Sequence, residues 1–257
     1  MSQPLPEVSA ARPYGDRESV PWLAGLSIIL PCFNEGGNLA QAVRGAMVAA
    51  ERVSDRHEII VVDDGSHDST ADVGARLAQT HPGVRLVIHL SNRGYGAAVR
   101  TGIAAATMPY VLITDADLQF DLREAEQLAV RLEDADVVVG HRLRRNDPAV
   151  RRGAASAWNA LVCKLYGLDL QDVDCALKLF PRELIQSIDL DSDGALFSTE
   201  LLVKTLATGA RIVEVGVHHY PRTSGRATGG SPRVVARAFV ELARLHRSLR
   251  RATARRA

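Results

Sequence analysis

Short apolar runs recur through the first half of the chain, at residues 26–30 (LSIIL), 58–62 (EIIVV), 84–90 (VRLVIHL), 110–114 (YVLIT) and 136–140 (DVVVG). Runs this short, rich in Ile, Val and Leu and without strict polar alternation, predict strands covered on both faces. Between them, residues 38–53, 69–80, 96–107 and 123–133 place apolar side chains at helical spacing, and Ser66 or Asp68 stands where it can cap the second of these helices. Strand–helix alternation of this kind predicts βαβ units and an α/β fold, a mostly parallel central sheet flanked by helices. The second half is less regular. Residues 154–165 and 200–208 predict helices and 211–218 a strand. A loop over 221–232 contains three glycines, with Arg222, Arg226 and Arg233 in or beside it.

Composition narrows the class without naming a partner. The chain has 257 residues, 46% of them apolar and 24% charged, with a formal net charge of +1. That suits one large domain with extra ends. Residues 1–24 hold four prolines and no period, and read as a flexible lead-in to a domain over 25–232. The three cysteines, Cys32, Cys163 and Cys175, form no CxxC pair, which argues against a disulfide framework or a zinc site and favours a reducing, cytoplasmic setting. No stretch approaches the ~20 apolar residues of a spanning helix. Residues 233–257 carry eight arginines and one acid, with Val235, Ala238, Phe239, Leu242, Leu245 and Leu249 at helical spacing. A basic amphipathic helix of this kind suits an anionic membrane surface, and so a peripheral position at the cytoplasmic face of the membrane. The same pattern also suits a helix packed on the domain and followed by a basic tail. Nucleic acid is set aside because no aromatics interleave the arginines.

The chemistry gathers where strands end, since open parallel sheets bind ligands beyond the carboxyl ends of their strands. The first strand leads into Pro31-Cys-Phe33-Asn34-Glu35, the second into Asp63-Asp64-Gly65-Ser66, and the fourth into Asp115-Ala116-Asp117-Leu-Gln119. Carboxylates there need cations or hydrogen-bond donors. Asp115 and Asp117, one residue apart, can turn together toward a hard divalent cation, Mg²⁺ or Mn²⁺, with Gln119 as a third oxygen. Of Asp63 and Asp64, one is accounted for by a tight turn or helix cap, leaving the other for a base N–H or a ribose hydroxyl. Arg93-Gly94-Tyr-Gly96 opens a helix after the third strand, where glycine permits close approach and Arg93 can meet phosphate. It is not the dinucleotide fingerprint, which follows the first strand of its unit.

In this order, LPCFNE, EIIVVDDGSHDST, SNRGYGAAVRTGIAAA, ITDADLQF and VVVGHR resemble family 2 glycosyltransferases with a GT-A fold, in particular dolichyl- and polyprenyl-phosphate sugar synthases. The resemblance runs from about Leu26 to Arg233. It implies that Pro31, Phe33 (where Tyr is usual), Asn34 and Glu35 line the nucleotide pocket, that Asp63 and Asp64 hold base and ribose, and that Arg93 and Gly94 lie over the nucleotide. It implies a metal motif of Asp115, Asp117 and Gln119, with Ala116 between the carboxylates, bridging a divalent cation to the diphosphate. Arg142 would meet an acceptor phosphate together with Arg152 and Ser156, and Arg222 the donor diphosphate. The implied activity is inverting transfer of a hexose from UDP- or GDP-sugar to a polyprenyl phosphate.

Such an acceptor needs arginine forks more than a base, and His141-Arg142-Leu-Arg144-Arg145 with Arg151-Arg152 offers them. A hydroxyl acceptor, the nearest alternative, would need one. Asp174 is the candidate, with Glu200 behind it at a helix start. His218 and His219 fit strand-end structure better than metal or acceptor. A nucleotidyltransferase is disfavoured by the lack of a lysine-bearing glycine loop after the first strand. A non-catalytic nucleotide-sugar binder would leave the metal carboxylates idle.

Overall fold

Alternation along each strand sends neighbouring side chains into two separate cores. In the computed structural model, residues 23–144, 149–194, 196–222, 238–247 and 249 are described. The strands are β1 (Leu26–Cys32), β2 (His57–Asp63), β3 (Val84–Ile88), β4 (Tyr110–Ile113), β5 (Val137–Arg142), β6 (Lys178–Pro181) and β7 (Ile212–Val217). The helices are α1 (Leu39–Val53), α2 (Thr70–Thr80), α3 (Tyr95–Ala105), α4 (Ala125–Arg131), α5 (Ala149–Tyr166), α6 (Arg182–Ser187) and α7 (Phe197–Ala207). Ile28, Leu30, Ile59 and Val61 face one core with α1 and α4, while Ile29, Ile60 and Val62 face the other with α3 and α7. The sheet is thus the middle layer of three.

The strand order is β3-β2-β1-β4-β6-β5-β7. All pairings are parallel except those of β6, which runs antiparallel to both β4 and β5. The apolar runs and helical periods predict every element except β6 and α6. The reversal follows from the path of the chain. Helix α5, of 18 residues and about 27 Å, follows β5. Residues 167–177 then climb back to the rim without a helix, so β6 starts where its neighbours end.

The N-cap of α2 is Ser69, which makes no side-chain cap; Asp68, one residue before it, accepts from Thr70 N through Oδ1 at 2.9 Å. Ser66 serves elsewhere, accepting from Asn34 N. Close packing of α3 on β1 depends on Gly102, where an added Cβ would lie 2.3 Å from Ile29 Cγ2. Gly102→Ala is therefore expected to lower stability in urea unfolding by about 1–3 kcal/mol through overpacking.

Cys32 and Cys175 are buried, Cys163 is partly buried, and all three are free thiols. Burial and the neighbouring acids Glu35 and Asp63 push the Cys32 thiol well above its usual range, so it is inert packing. The predicted loop over 221–232 lies outside the described residues from 223 onward. Residues 238–247 are helical, and Leu242 and Leu245 join the core against α5 and α7.

Candidate active site

The strand order reverses about β1, so the loops leaving β1 and β4 diverge and open a crevice between them. One wall of the crevice is two loops fastened to each other. After β1, Asn34 adopts φ 57°, its N donates to Ser66 Oγ at 2.9 Å, and its Oδ1 accepts from His67 N at 2.8 Å. Glu35 N donates to Thr70 Oγ1 at 2.9 Å, and Gly36 N to Asp68 Oδ2 at 3.0 Å. These ties hold Phe33, 36% exposed, edge-on to His67, a free aromatic face beside the crevice.

The paired acids after β2 divide as the sequence suggests only in part. Asp63 Oδ1 accepts from Ser66 N at 3.0 Å and closes the turn. Asp64 is more heavily engaged. It receives His89 Nδ1 at 2.7 Å, Arg93 N at 2.9 Å and Gly94 N at 2.8 Å. Its carboxylate thereby fixes the loop that opens α3. Gly94 has φ 102°, and an added Cβ would sit 2.4 Å from Asp193 O, so only glycine fits. The Arg93 side chain is exposed.

Beyond β4, the Asp115–Gln119 turn is strained at Leu118, which adopts φ 63° without being glycine. Asp117 Oδ1 accepts from Gln119 N at 3.0 Å across this turn. The segment after β7 runs alongside it: Phe120 bridges His219, Tyr220 N donates to Gln119 O at 2.8 Å, and Gln119 Nε2 donates to Tyr220 O at 3.0 Å. That pairing delivers Arg222 into the crevice. Its Nη1 meets Glu35 Oε1 at 2.9 Å and its Nη2 meets Asp117 Oδ2 at 2.6 Å. One guanidinium therefore spans the acids that follow β1 and β4.

Two desolvated acids behave oppositely. Glu58, at the far end of the sheet, is desolvated, yet hydrogen bonds from Arg85, Thr107 and Ser27 outweigh that and hold its carboxyl below the usual range. Asp115 is pushed up to about 7, chiefly by desolvation and then by the facing Asp117; Lys178, the Tyr95 hydroxyl and Arg222 relieve it only partly. The sign follows directly. A raised folded-state pKa gives stability that is present below the unfolded value of 3.8 and lost as pH rises through about 7. Asp115→Asn is thus expected to raise the melting temperature of the metal-free protein by several degrees at about pH 8, with the gain shrinking toward about pH 4. Thermal unfolding across that range checks it.

Among the described residues, no three His, Cys, Asp or Glu side chains form a ready-made metal cage. Two carboxylates with excess negative charge fit instead a hard divalent ion that takes its other ligands from phosphate and water. Asp115 and Asp117 would hold it. Gln119, expected as a third oxygen, is engaged through its amide nitrogen as a strut to Tyr220.

The cationic side of the rim starts at the end of β5. Arg142 is gripped by Asp172, Nε to Oδ2 at 2.6 Å and Nη2 to Oδ1 at 2.7 Å. Burial opposes its charge, but the hydrogen bonds and charge of Asp172 hold the guanidinium firmly protonated. Arg152 and Ser156 are exposed on α5. Asp174 is partly buried, close enough for its charge to act on Arg142 and Lys178. Lys178 is 2% exposed, and its Nζ donates to Cys175 O and, at 3.4 Å, to Ser198 Oγ. Glu200, in the first turn of α7, accepts from the amides of Asp191 and Ser192 and pairs with Lys204. His218 is tied to Glu124 through N at 2.9 Å and Nδ1 at 2.6 Å, a strand-end role.

Sequence reasoning missed Asp172, Tyr95 and Lys178. The signal for Lys178 was a lone lysine inside the apolar stretch ALKLF; for Asp172 it was a second acid two places before Asp174.

The helix-flanked, mostly parallel seven-stranded sheet is the GT-A fold of glycosyltransferases. Residues 27–188 match the family model of Glycosyl transferase family 2, and the chain belongs to that family. It is 33% identical over 203 residues to undecaprenyl-phosphate 4-deoxy-4-formamido-L-arabinose transferase of Sodalis glossinidius, covering 78% of this chain and 61% of that protein. With glycosyltransferase AglD of Haloferax volcanii it shares 31% over 223 residues, 82% of this chain and 36% of the relative. The chain thus spans under two thirds of the length of these relatives. Glucosyl-3-phosphoglycerate synthase from Mycobacterium tuberculosis, in complex with Mn²⁺, UDP and phosphoglyceric acid, superposes with a TM-score of 0.69 at 19% identity, over 87% of this chain and 78% of that one. Mannosyltransferase PcManGT from Pyrobaculum calidifontis, with GDP-Man and Mn²⁺, gives 0.56 at 23%, over 79% and 58%. At these identities the structural likeness is one of fold.

Proposed function

We propose that this domain transfers a hexose from a UDP- or GDP-sugar to a polyprenyl phosphate, with inversion and with the help of a divalent cation. The observation that carries the reading is the Arg222 guanidinium spanning Glu35 and Asp117 across the crevice. A departing diphosphate requires cations nearby, and this rim offers the arginine itself and carboxylates able to hold a divalent ion. Phe33 offers a face for the base, and Asp63 and Asp64 border the ribose. A divalent ion held by Asp115 and Asp117 would neutralise charge on the leaving diphosphate. Arg222, released from those acids, pairs with the same oxygens. On the acceptor side, Arg142, Arg152 and Ser156 receive the phosphate, whose oxygen is already ionised and attacks without a base. The relatives named for undecaprenyl phosphate support this choice of acceptor.

A thermal-shift screen of nucleoside diphosphates and nucleotide-sugars, each with and without Mn²⁺ or Mg²⁺, identifies the donor by mass-action stabilisation. Transfer to a short-chain polyprenyl phosphate, compared with glycerate-type and saccharide acceptors, then tests the acceptor. Exclusive transfer to a hydroxyl would shift the reading to Asp174 as base.

Membrane contact through the basic C-terminal segment belongs to the same proposal. No helix among the described residues is long and apolar enough to cross a membrane. Phe239 and Val240 are exposed, whereas Leu242 and Leu245 are core, so truncating this helix would damage the fold. Charge reversal at Arg247, Arg250 and Arg251 is the cleaner probe. It is expected to weaken sedimentation with anionic vesicles by at least about tenfold, since each basic residue contributes roughly 1 kcal/mol at such a surface.

A further inference from the structure

Arg142 leaves the end of β5 with an 11% exposed side chain, and Asp172 opposite it is 8% exposed. The carboxylate takes the Nε–Nη2 edge of the guanidinium side-on, and its Oδ2 also receives Arg142 N at 3.3 Å. A guanidinium has five N–H donors in a fixed plane. Those on Nη1, and the second on Nη2, have no partner among the described residues. The edge left over is the end-on fork, the geometry that takes two phosphate oxygens.

Asp172 is itself held from two sides. Glu214, on β7, accepts from Gln171 N at 2.7 Å through Oε2 and from Asp172 N at 3.1 Å through Oε1. Asn159, on α5, accepts from Val173 N at 2.9 Å and donates to Leu170 O at 3.0 Å. Asn159 follows Arg152 and Ser156 at helical spacing, so the three share one face of α5. One edge strand and one helix therefore clamp the irregular 170–173 segment, and that segment clamps Arg142. Holding an arginine plane this way removes rotamer freedom that phosphate binding would otherwise have to overcome.

We propose that Asp172 is a positioning residue for the acceptor: gripping one edge of Arg142, with Glu214 and Asn159 behind it, it presents the other edge to the phosphate of the incoming lipid. The inference rests on the reading of Arg142 as an acceptor-phosphate contact.

The test is calorimetric binding of farnesyl monophosphate to the full chain, with UDP and GDP titrated separately in Mn²⁺. Arg142→Met and Asp172→Asn are each expected to raise the Kd for farnesyl monophosphate by about tenfold or more while the nucleotide Kd stays within about threefold. Asp172→Asn added to Arg142→Met should cause no further loss, because Asp172 acts through Arg142. Glu214→Gln, on an edge strand, should shift the same Kd in the same direction by less, and it stands in if Asp172→Asn does not fold. A defect in Arg142→Met without one in Asp172→Asn or Glu214→Gln overturns the inference alone. Full binding by Arg142→Met, or none by the wild-type chain, removes the acceptor reading beneath it. Unchanged farnesyl monophosphate affinity with lost transfer to a hydroxyl acceptor would make Asp172 a base instead.

Discussion

Asp117→Ala is expected to lower sugar transfer by about 10³-fold in kcat, with the chain still folded. Asp117 is 4% exposed, and its two oxygens serve different ends. Oδ1 fixes the strained turn through Gln119 N, and Oδ2 faces the crevice, where Arg222 meets it. Alanine removes both the ligand oxygen and the tie that shapes the turn, while the strands beneath are untouched. Transfer at saturating donor and Mn²⁺ measures the loss, and circular dichroism with a melting curve confirms the fold. Activity within about tenfold of wild type would mean that the diphosphate does not leave beside this rim.

Arg222→Ala should move two measurements in opposite directions. Transfer falls by about 10²–10³-fold, because one preorganised cation facing the developing charge is gone. Mn²⁺ binding to the nucleotide-free protein becomes tighter by about fivefold, the equivalent of the ~1 kcal/mol that a partly exposed ion pair contributes. The reason is geometric: the guanidinium lies on Asp117 and Glu35, so it competes with any other cation drawn there. Arg222→Lys keeps charge but loses the fork, and should fall between the two in both measurements. Equal or weaker Mn²⁺ binding by Arg222→Ala would show that the arginine does not occupy the cation's ground.

The acidic side of this rim was legible in the sequence because physics leaves it little freedom there. A buried apolar strand with an acid at or just past its end carries that acid to the sheet edge: β2 ends in Asp63, Asp115 follows β4 by two residues and Glu35 follows β1 by three. The cationic side was harder to read. β6 has four residues, begins with a lysine and ends with a proline, features that argue against a central strand. Lys178 is tolerated inside it because a backbone carbonyl and Ser198 receive its ammonium group. Nor could spacing decide between Asp172 and Asp174. Both occupy the irregular 167–177 segment, and only the tertiary clamp from Glu214 and Asn159 turns Asp172 toward Arg142. Tyr95 sits at the first position of α3, between the two glycines that the sequence places at a helix start, and its hydroxyl reaches Asp115 through the fold.

The reversed strand also sets a distance. β6 intervenes between β4, which carries Asp115 and Asp117 at its end, and β5, which carries Arg142. Two strand spacings separate those ends by about 9.5 Å. A hexose ring with an oxygen on either side fills a gap of that order, so under the proposed function the width of one inserted strand would act as a ruler between the group that departs and the group that arrives.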